Sequence, residues 1–145
     1  MSTRCNIIIQ DSKNPSALLY RHCDGYPDNT GVELKRLVEE YACQNEYATP
    51  CDFATYLIRY RKKCNPDWNF LYTKSEGYIL PYELATCVQS DIDYLYFIDL
   101  KQKSVRCCRA NAEIWKIGYE FSKNNFEKFK DLEVPIPNEG EQKED

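Results

Sequence analysis

The first part of the chain alternates between short apolar runs and polar turns. Residues 5–10 form a β-branched run that predicts a strand, and a polar turn follows at 11–15. Residues 17–22 read as a second strand, so the two runs indicate a hairpin. Because successive side chains of a strand point to opposite faces, Tyr20 and Arg21 are expected on opposite faces of the sheet.

Apolar residues recur at helical spacing in the next two segments. Thr30 and Glu33 fit a T-x-x-E capping box, which predicts a first helix with an apolar stripe at Leu34, Leu37, Val38, Tyr41 and Ala42. Thr49 and Pro50 predict the start of a second helix, because Thr caps a helix and Pro fits its first position. The stripe of this helix extends to Cys64. Its last turns carry four cations that complement the helix dipole: Arg59, Arg61, Lys62 and Lys63.

The pattern then returns to strands. Residues 68–73 and 78–80 predict a hairpin, and 93–100 and 104–109 predict two long strands joined by a short turn, while 81–87 is ambiguous between a strand end and a short helix. Aromatic residues at helical spacing predict a further helix within 111–130. We therefore expect a single α+β domain over residues 1–132, a mostly antiparallel sheet of four to six strands with two to three helices packed on it. Residues 133–145 are expected to form a disordered acidic tail.

The net charge of −4 lies in that tail, which holds five acidic residues and one lysine. The rest of the chain is electrically neutral, which argues against a general DNA or RNA binder because such a protein needs a cationic face. The composition is also skewed towards tyrosine, with 12 Tyr against 6 Phe. Tyrosine suits half-buried surfaces such as ligand clefts and interfaces, and it also suits strands, so both explanations stay open.

The eight cysteines do not form a metal or disulfide pattern. No pair has C-x-x-C spacing, and a single histidine cannot complete a Cys₂His₂ site. The sequence has no apolar signal segment and no run of transmembrane length. We therefore expect free thiols in a reducing cytosol, with no metal, no cofactor and no membrane partner.

Signatures of catalysis are sparse. The chain lacks G-x-x-x-x-G-K-[ST], G-x-G-x-x-G and G-x-S-x-G motifs. The only histidine, His22, could pair with Asp24 as an acid and base, but a histidine at a strand end is more often a hydrogen-bonded structural residue. The sequence favours a protein that binds without catalysis. Arginines could hold phosphates while tyrosines stack on bases, if these residues converge: Arg4, Arg21, Arg59, Arg106 and Arg109 with Tyr26, Tyr82 or Tyr94.

The N-terminal motif resembles that of small phage-encoded proteins. The opening S-T-R-C-N-I strand is followed by Tyr20-Arg21-His22-Cys23-Asp24-Gly25-Tyr26-Pro27. Together with the later Tyr94–Phe97 strand and the Val105-Arg106-Cys107 return, the chain is most similar to the phage Thoeris anti-defence "sponge" family. The resemblance covers about residues 1–110 and is specific in the first 27.

This resemblance implies a phage immune-evasion protein of the host cytoplasm. Members of the family sequester cyclic ADP-ribose isomers made by TIR-domain sensors without cleaving them, and glycocyclic ADP-ribose is the isomer expected here. They assemble as oligomers, so a dimer or hexamer with the ligand near a subunit interface is expected. Some members hold cyclic oligonucleotides in separate pockets, which leaves a second ligand class open. The ligand-binding residues expected from type and position are Arg21, Asp24, Tyr26, Arg59, Tyr82, Arg106 and Arg109.

Two other functions stay open from the sequence. One is an enzyme that hydrolyses such a nucleotide through His22 and an acidic partner. The other is an inhibitor that binds a host protein through an aromatic surface. Turnover would distinguish the first from a sponge, and a co-purifying host protein without nucleotide affinity would distinguish the second.

Overall fold

A computed structural model describes residues 3–63, 78–110 and 133–138 of the chain. Two helices are present in these ranges, α1 (Val32–Ala42) and α2 (Pro50–Ile58), and a π-helical turn (Pro27–Gly31) precedes α1. The strands are β1 (Cys5–Gln10), β2 (Ala17–Arg21), β3 (Lys62–Lys63), β4 (Tyr78–Ile79), β5 (Glu83–Leu84), β6 (Tyr94–Asp99), β7 (Ser104–Arg109) and β8 (Glu133–Val134). The predicted strand 68–73 and the predicted helix within 111–130 lie outside the described residues.

Six of the strands form one sheet in the order β5-β2-β1-β6-β7-β8. Only the β1–β6 pair is parallel, and the other four pairs of this sheet are antiparallel. Strands β3 and β4 form a separate antiparallel ribbon. The predicted α+β domain with a mostly antiparallel sheet is therefore confirmed.

Strand β1 is buried along its whole length because both faces of the sheet are covered. On one face, which we call the helix face, α1 and α2 pack against Ile7, Ile9 and Leu19. On the opposite face, Val88 and Ile92 of the β5–β6 connection cover Ile8, Leu18 and Phe97. A continuous β-branched run is what a strand buried on both faces requires, which explains the run at residues 5–10.

Both helix starts were predicted from capping patterns, and only the second is confirmed. Thr49 caps α2 in a capping box whose N3 residue is Asp52, with Pro50 at the first helical position. At α1 the predicted Thr30–Glu33 box is wrong. The hydroxyl of Thr30 instead donates to the Asp24 carbonyl at 2.6 Å, and Glu33 points into the interior, where it meets the buried Arg21.

The end of α2 also differs from the prediction. The helix ends at Ile58, so the cationic residues that follow it do not occupy its last turns. Lys62 and Lys63 instead pair with β4, and the side chain of Lys62 turns to Glu33. This long-range ion pair has no sequence signature, which is why periodicity alone extended the helix too far.

The ordered chain continues beyond the predicted domain boundary at residue 132. Glu133 and Val134 pair with β7, and Ile136 packs under α1, where its Cγ2 would lie 2.9 Å from a Cβ placed on Gly31. The prediction of disorder from 133 onward is therefore wrong for residues 133–138. Residues 139–145 lie outside the described part of the chain.

Candidate functional site

Arg21, predicted to bind a ligand, is buried with 0% exposure at the end of β2. Its Nη1 donates to Glu33 Oε1 at 2.7 Å and to the Tyr82 hydroxyl at 3.1 Å, and its Nε donates to the Cys23 carbonyl at 2.8 Å. The guanidinium also lies over the Tyr82 ring, 5.2 Å from the centroid. Arg21 thus forms an interior link between the sheet and α1.

Tyr82 and Glu33 complete this buried network. The Tyr82 hydroxyl donates to Glu33 Oε1 at 2.6 Å, and the Tyr82 side chain is 1% exposed. Lys62 reaches the other carboxylate oxygen, with Nζ 3.1 Å from Oε2. We call Arg21, Glu33, Lys62 and Tyr82 the buried charge network. Two of the predicted ligand-binding residues, Arg21 and Tyr82, belong to it and are covered by the protein itself.

Electrostatics keep the network charged. Burial alone would raise the pKa of Glu33, but the charges of Arg21 and Lys62 and the Tyr82 hydrogen bond lower it below its ordinary value. Burial raises the pKa of Tyr82 well above its ordinary value, so the hydroxyl stays protonated and donates. A buried carboxylate is tolerated only when it is paired and hydrogen-bonded, and Glu33 meets both conditions.

Three other predicted residues gather at one end of the sheet. Tyr26 is 45% exposed, and its ring lies 6.5 Å from the ring of Tyr94. The guanidinium of Arg109 lies over the ring of Tyr94, 5.7 Å from its centroid. Asp24 begins this turn with a φ of 58°, a left-handed conformation that aspartate tolerates better than most residues. Asp24, Tyr26 and Arg109 therefore lie at the same end of the sheet.

Arg106 does not join them. Its Cα pairs with Phe97, whose side chain belongs to the face opposite the helices, whereas Arg109 pairs with Tyr94 of the helix face. Arg106 Nε donates to Glu133 Oε1, which fixes β8 against β7. Because side chains alternate along a strand, two residues separated by three cannot share a face. Arg106 is therefore a strand-pairing residue of this sheet.

Arg59, the remaining predicted residue, lines an open groove of about 570 Å³ beside α2. Binding sites for small organic molecules commonly occupy about 300–1,000 Å³. We call this feature the α2 groove, and its lining residues are Tyr41, Asp52, Thr55, Tyr56, Arg59, Tyr60 and Arg61. Three half-buried tyrosines and two exposed arginines thus meet in one concave surface.

The tyrosines of the groove are held by packing. The rings of Tyr41 and Tyr56 are 4.5 Å apart and tilted by 30°, and Phe53 supports both from the core side. Arg36 donates from Nη2 to the Tyr60 hydroxyl at 3.1 Å. A wall of fixed rings presents flat apolar surface to a ligand at little entropic cost.

Sequence reasoning placed Tyr41 and Tyr60 in apolar helix stripes and did not consider Tyr56 as a site residue. The usable signal was the density of tyrosine near Arg59 and Arg61, since a purely structural stripe more often carries Leu or Phe at such positions. The pairing of Tyr41 from α1 with Tyr56 from α2 depends on helix packing. No local pattern reports it.

His22 lies on the other side of the sheet from the α2 groove. Its Nδ1 is 3.0 Å from the Tyr20 hydroxyl and accepts from Arg4 Nε at 3.5 Å, and Tyr20 packs on the face opposite the helices. Arg4 also pairs with Asp91 at 3.4 Å. His22 is thus part of a polar cluster that ties the start of β1 to β2, as a structural role requires.

The residues that the structure describes contain no cluster of three or more His, Cys, Asp or Glu side chains that could hold a metal ion. Within the same ranges, every helix is too short or too polar to cross a bilayer.

Family models, curated proteins and solved structures were compared with the chain, and none of them matches it.

Proposed function

We propose that this protein binds a cyclic ADP-ribose isomer in the α2 groove and holds it without cleaving it. The observation that carries the proposal is the meeting of three tyrosine rings and two arginines in one groove of about 570 Å³. Aromatic rings stack on nucleobases, and guanidinium groups pair with phosphate oxygens, so these two residue types together suit a nucleotide. The volume accommodates a molecule of nucleotide size.

The charged and aromatic side chains lie along the groove in an order that matches the parts of such a ligand. Arg59 and Arg61 follow the C-terminal end of α2, where they would pair with the pyrophosphate. Tyr41 and Tyr56 form the adjoining ring pair, on which a purine would stack. Asp52 lies at the N-terminal end of α2, where its carboxylate would accept from ribose hydroxyls.

Binding without cleavage is favoured by the same geometry. Among the described residues that line the groove, Asp52 is the one carboxylate, and its Oδ2 already accepts from the backbone N–H of Thr49 at 3.0 Å. His22, the candidate base of a hydrolase, lies on the opposite face of the sheet. Hydrolysis needs a positioned base within hydrogen-bonding reach of the attacking water, and this arrangement supplies none from His22.

The biological setting in the proposal comes from the sequence resemblance. A phage protein of the host cytoplasm that sequesters glycocyclic ADP-ribose would keep a TIR-domain signal from its effector and so block Thoeris defence. A homo-oligomer, with the open groove closed by a neighbouring subunit, would slow release of the ligand, as sequestration requires. Binding of cyclic oligonucleotides at a separate pocket is a further part of the same proposal.

Recovery of the ligand distinguishes a sponge from an enzyme. The protein would be incubated in excess with glycocyclic ADP-ribose, heated to unfold it, and the released nucleotide analysed by chromatography and mass spectrometry. The proposal predicts that free ligand disappears on incubation and returns chemically intact after heating. A linear or hydrolysed product would contradict it, and loss of that product in His22→Ala would support the hydrolase instead.

A further inference from the structure

The basic wall of the α2 groove is a short segment that leaves the helix and then anchors to the interior. Arg59, Tyr60 and Arg61 line the groove, and Lys62 is the next residue. The helix ends at Ile58, and two backbone hydrogen bonds reach the start of the segment, from Arg59 N to Thr55 O and from Tyr60 N to Leu57 O. At its other end the backbone of Lys62 pairs with β4, and side-chain contacts anchor the segment further.

The first anchor is the ion pair between Lys62 and Glu33. Lys62 Nζ lies 3.1 Å from Glu33 Oε2 and donates to Asn29 Oδ1 at 3.2 Å. Glu33 is a rigid acceptor because Arg21 and Tyr82 bind its other oxygen at 2.7 and 2.6 Å. Lys62 itself is 31% exposed, so this anchor joins the surface segment to the buried charge network.

The second anchor is the side chain of Tyr60. Its ring lies 6.3 Å from the ring of Tyr82, the hydroxyl donor of the network, and its own hydroxyl accepts from Arg36. Tyr60 and Lys62 therefore fix Arg61 from both sides and Arg59 from one. A binding group that is held in place before the ligand arrives loses less entropy on binding, and this raises affinity.

We propose that the Glu33–Lys62 ion pair is a positioning contact that sets the affinity of the α2 groove for its anionic ligand. The proposal rests on the proposed function for the identity of that ligand. Arg21 acts through the same contact, because it holds the Glu33 carboxylate without reaching the groove. This gives the arginine of the N-terminal turn an indirect role in binding: it orients the segment that carries Arg59 and Arg61.

The test compares Lys62→Met, Lys62→Arg and a charge control, Lys35→Met. Lys35 lies on α1 and donates to the Ile136 carbonyl, outside the groove lining, so its replacement removes the same charge without touching the segment. Affinity for glycocyclic ADP-ribose would be measured by titration calorimetry, and amide hydrogen exchange of residues 59–62 would be followed in the ligand-free protein. Thermal unfolding would confirm that each variant folds.

We expect Lys62→Met to weaken binding roughly three- to tenfold and to speed exchange of these amides, because the segment loses one anchor. Lys62→Arg should restore both properties, since a guanidinium can pair with the same carboxylate. Equal weakening by Lys62→Met and Lys35→Met, with unchanged exchange, would overturn the positioning role. If the wild-type protein binds no nucleotide, the proposed function fails, and the exchange result alone then decides whether Glu33–Lys62 orders the segment.

Discussion

Arg21 donates a hydrogen bond to Glu33 over 2.7 Å, and both side chains lie in the interior. Arg21 is the last residue of β2 and Glu33 lies in the first turn of α1, so this ion pair holds the helix against the sheet. Lys62 adds a third charge from outside the core. The stability of the fold and the geometry of the groove therefore depend on the same carboxylate.

Acid should weaken the fold through Glu33. Its pKa is lowered in the folded protein from an ordinary value of 4.5, so the folded state favours the ionised form. This stabilisation is complete above about pH 4.5 and is lost as the pH falls through the lower folded pKa. Urea unfolding should show that the free energy of unfolding falls between pH 7 and pH 3. This fall should be smaller in the Glu33→Gln variant.

At neutral pH, Glu33→Gln should cost about 3–5 kcal/mol, because it leaves Arg21 buried without a counter-charge. Glu40→Gln is the matched control, since Glu40 pairs with Arg36 at the surface and its loss should cost less than about 1 kcal/mol. An unchanged pH dependence in Glu33→Gln would show that other carboxyl groups govern acid unfolding.

Local patterns predicted much of the architecture. The β-branched run at residues 5–10 gave β1, and the Thr49-Pro50 start gave α2, because both signals depend on neighbours in sequence. The alternation of Tyr20 and Arg21 was also predicted correctly, since the period of a strand is fixed. Tyr20 accordingly packs on the face opposite the helices, while Arg21 lies on the helix face.

The site was predicted less well because its contacts are long-range. No residue near Arg21 in sequence indicates that Glu33 and Tyr82 will enclose it, and an arginine beside a polar turn is usually exposed. The Arg21–Glu33 ion pair also explains why the predicted capping box at α1 is wrong, because the Glu33 side chain binds Arg21 in the interior and does not cap the helix. Arg59 was expected from sequence to bind a ligand and lines the α2 groove, whereas the tyrosines beside it come together only through the packing of two helices.

Gly31 and Ile136 should be energetically coupled. A Cβ on Gly31 would lie 2.9 Å from Ile136 Cγ2, so Gly31→Ala requires the Ile136 side chain to shift. We expect a loss of about 1–3 kcal/mol, typical of overpacking. In an Ile136→Ala background the same substitution should cost clearly less, as a double-mutant cycle by urea unfolding would measure. Strictly additive effects would contradict the packing of residues 133–138 against α1.

Six of the seven described cysteines should divide into two reactivity classes, and the seventh, Cys23, is half-buried between them. The exposed thiols are Cys43, Cys51 and Cys87, and the buried ones are Cys5, Cys107 and Cys108. Burial raises the pKa of Cys5 to about 12 and of Cys108 to about 11, and each pKa unit lowers the thiolate fraction about tenfold near neutral pH. Brief iodoacetamide treatment followed by peptide mass spectrometry should label the exposed class alone, and the buried class only in denaturant. Labelling of Cys5 in the native protein would contradict the packing of β1.

The most direct test of nucleotide binding in the α2 groove is titration calorimetry with glycocyclic ADP-ribose. It would compare the wild type, the double variant Arg59→Ala/Arg61→Ala, and Lys101→Ala. Lys101 is an exposed cation on the β6–β7 turn and serves as the charge control. Loss of two charge-assisted phosphate contacts should weaken binding by about 100-fold or more, while Lys101→Ala should bind as the wild type does. Equal affinity in the double variant and the wild type, or no heat of binding in any of the three, would contradict the proposed site.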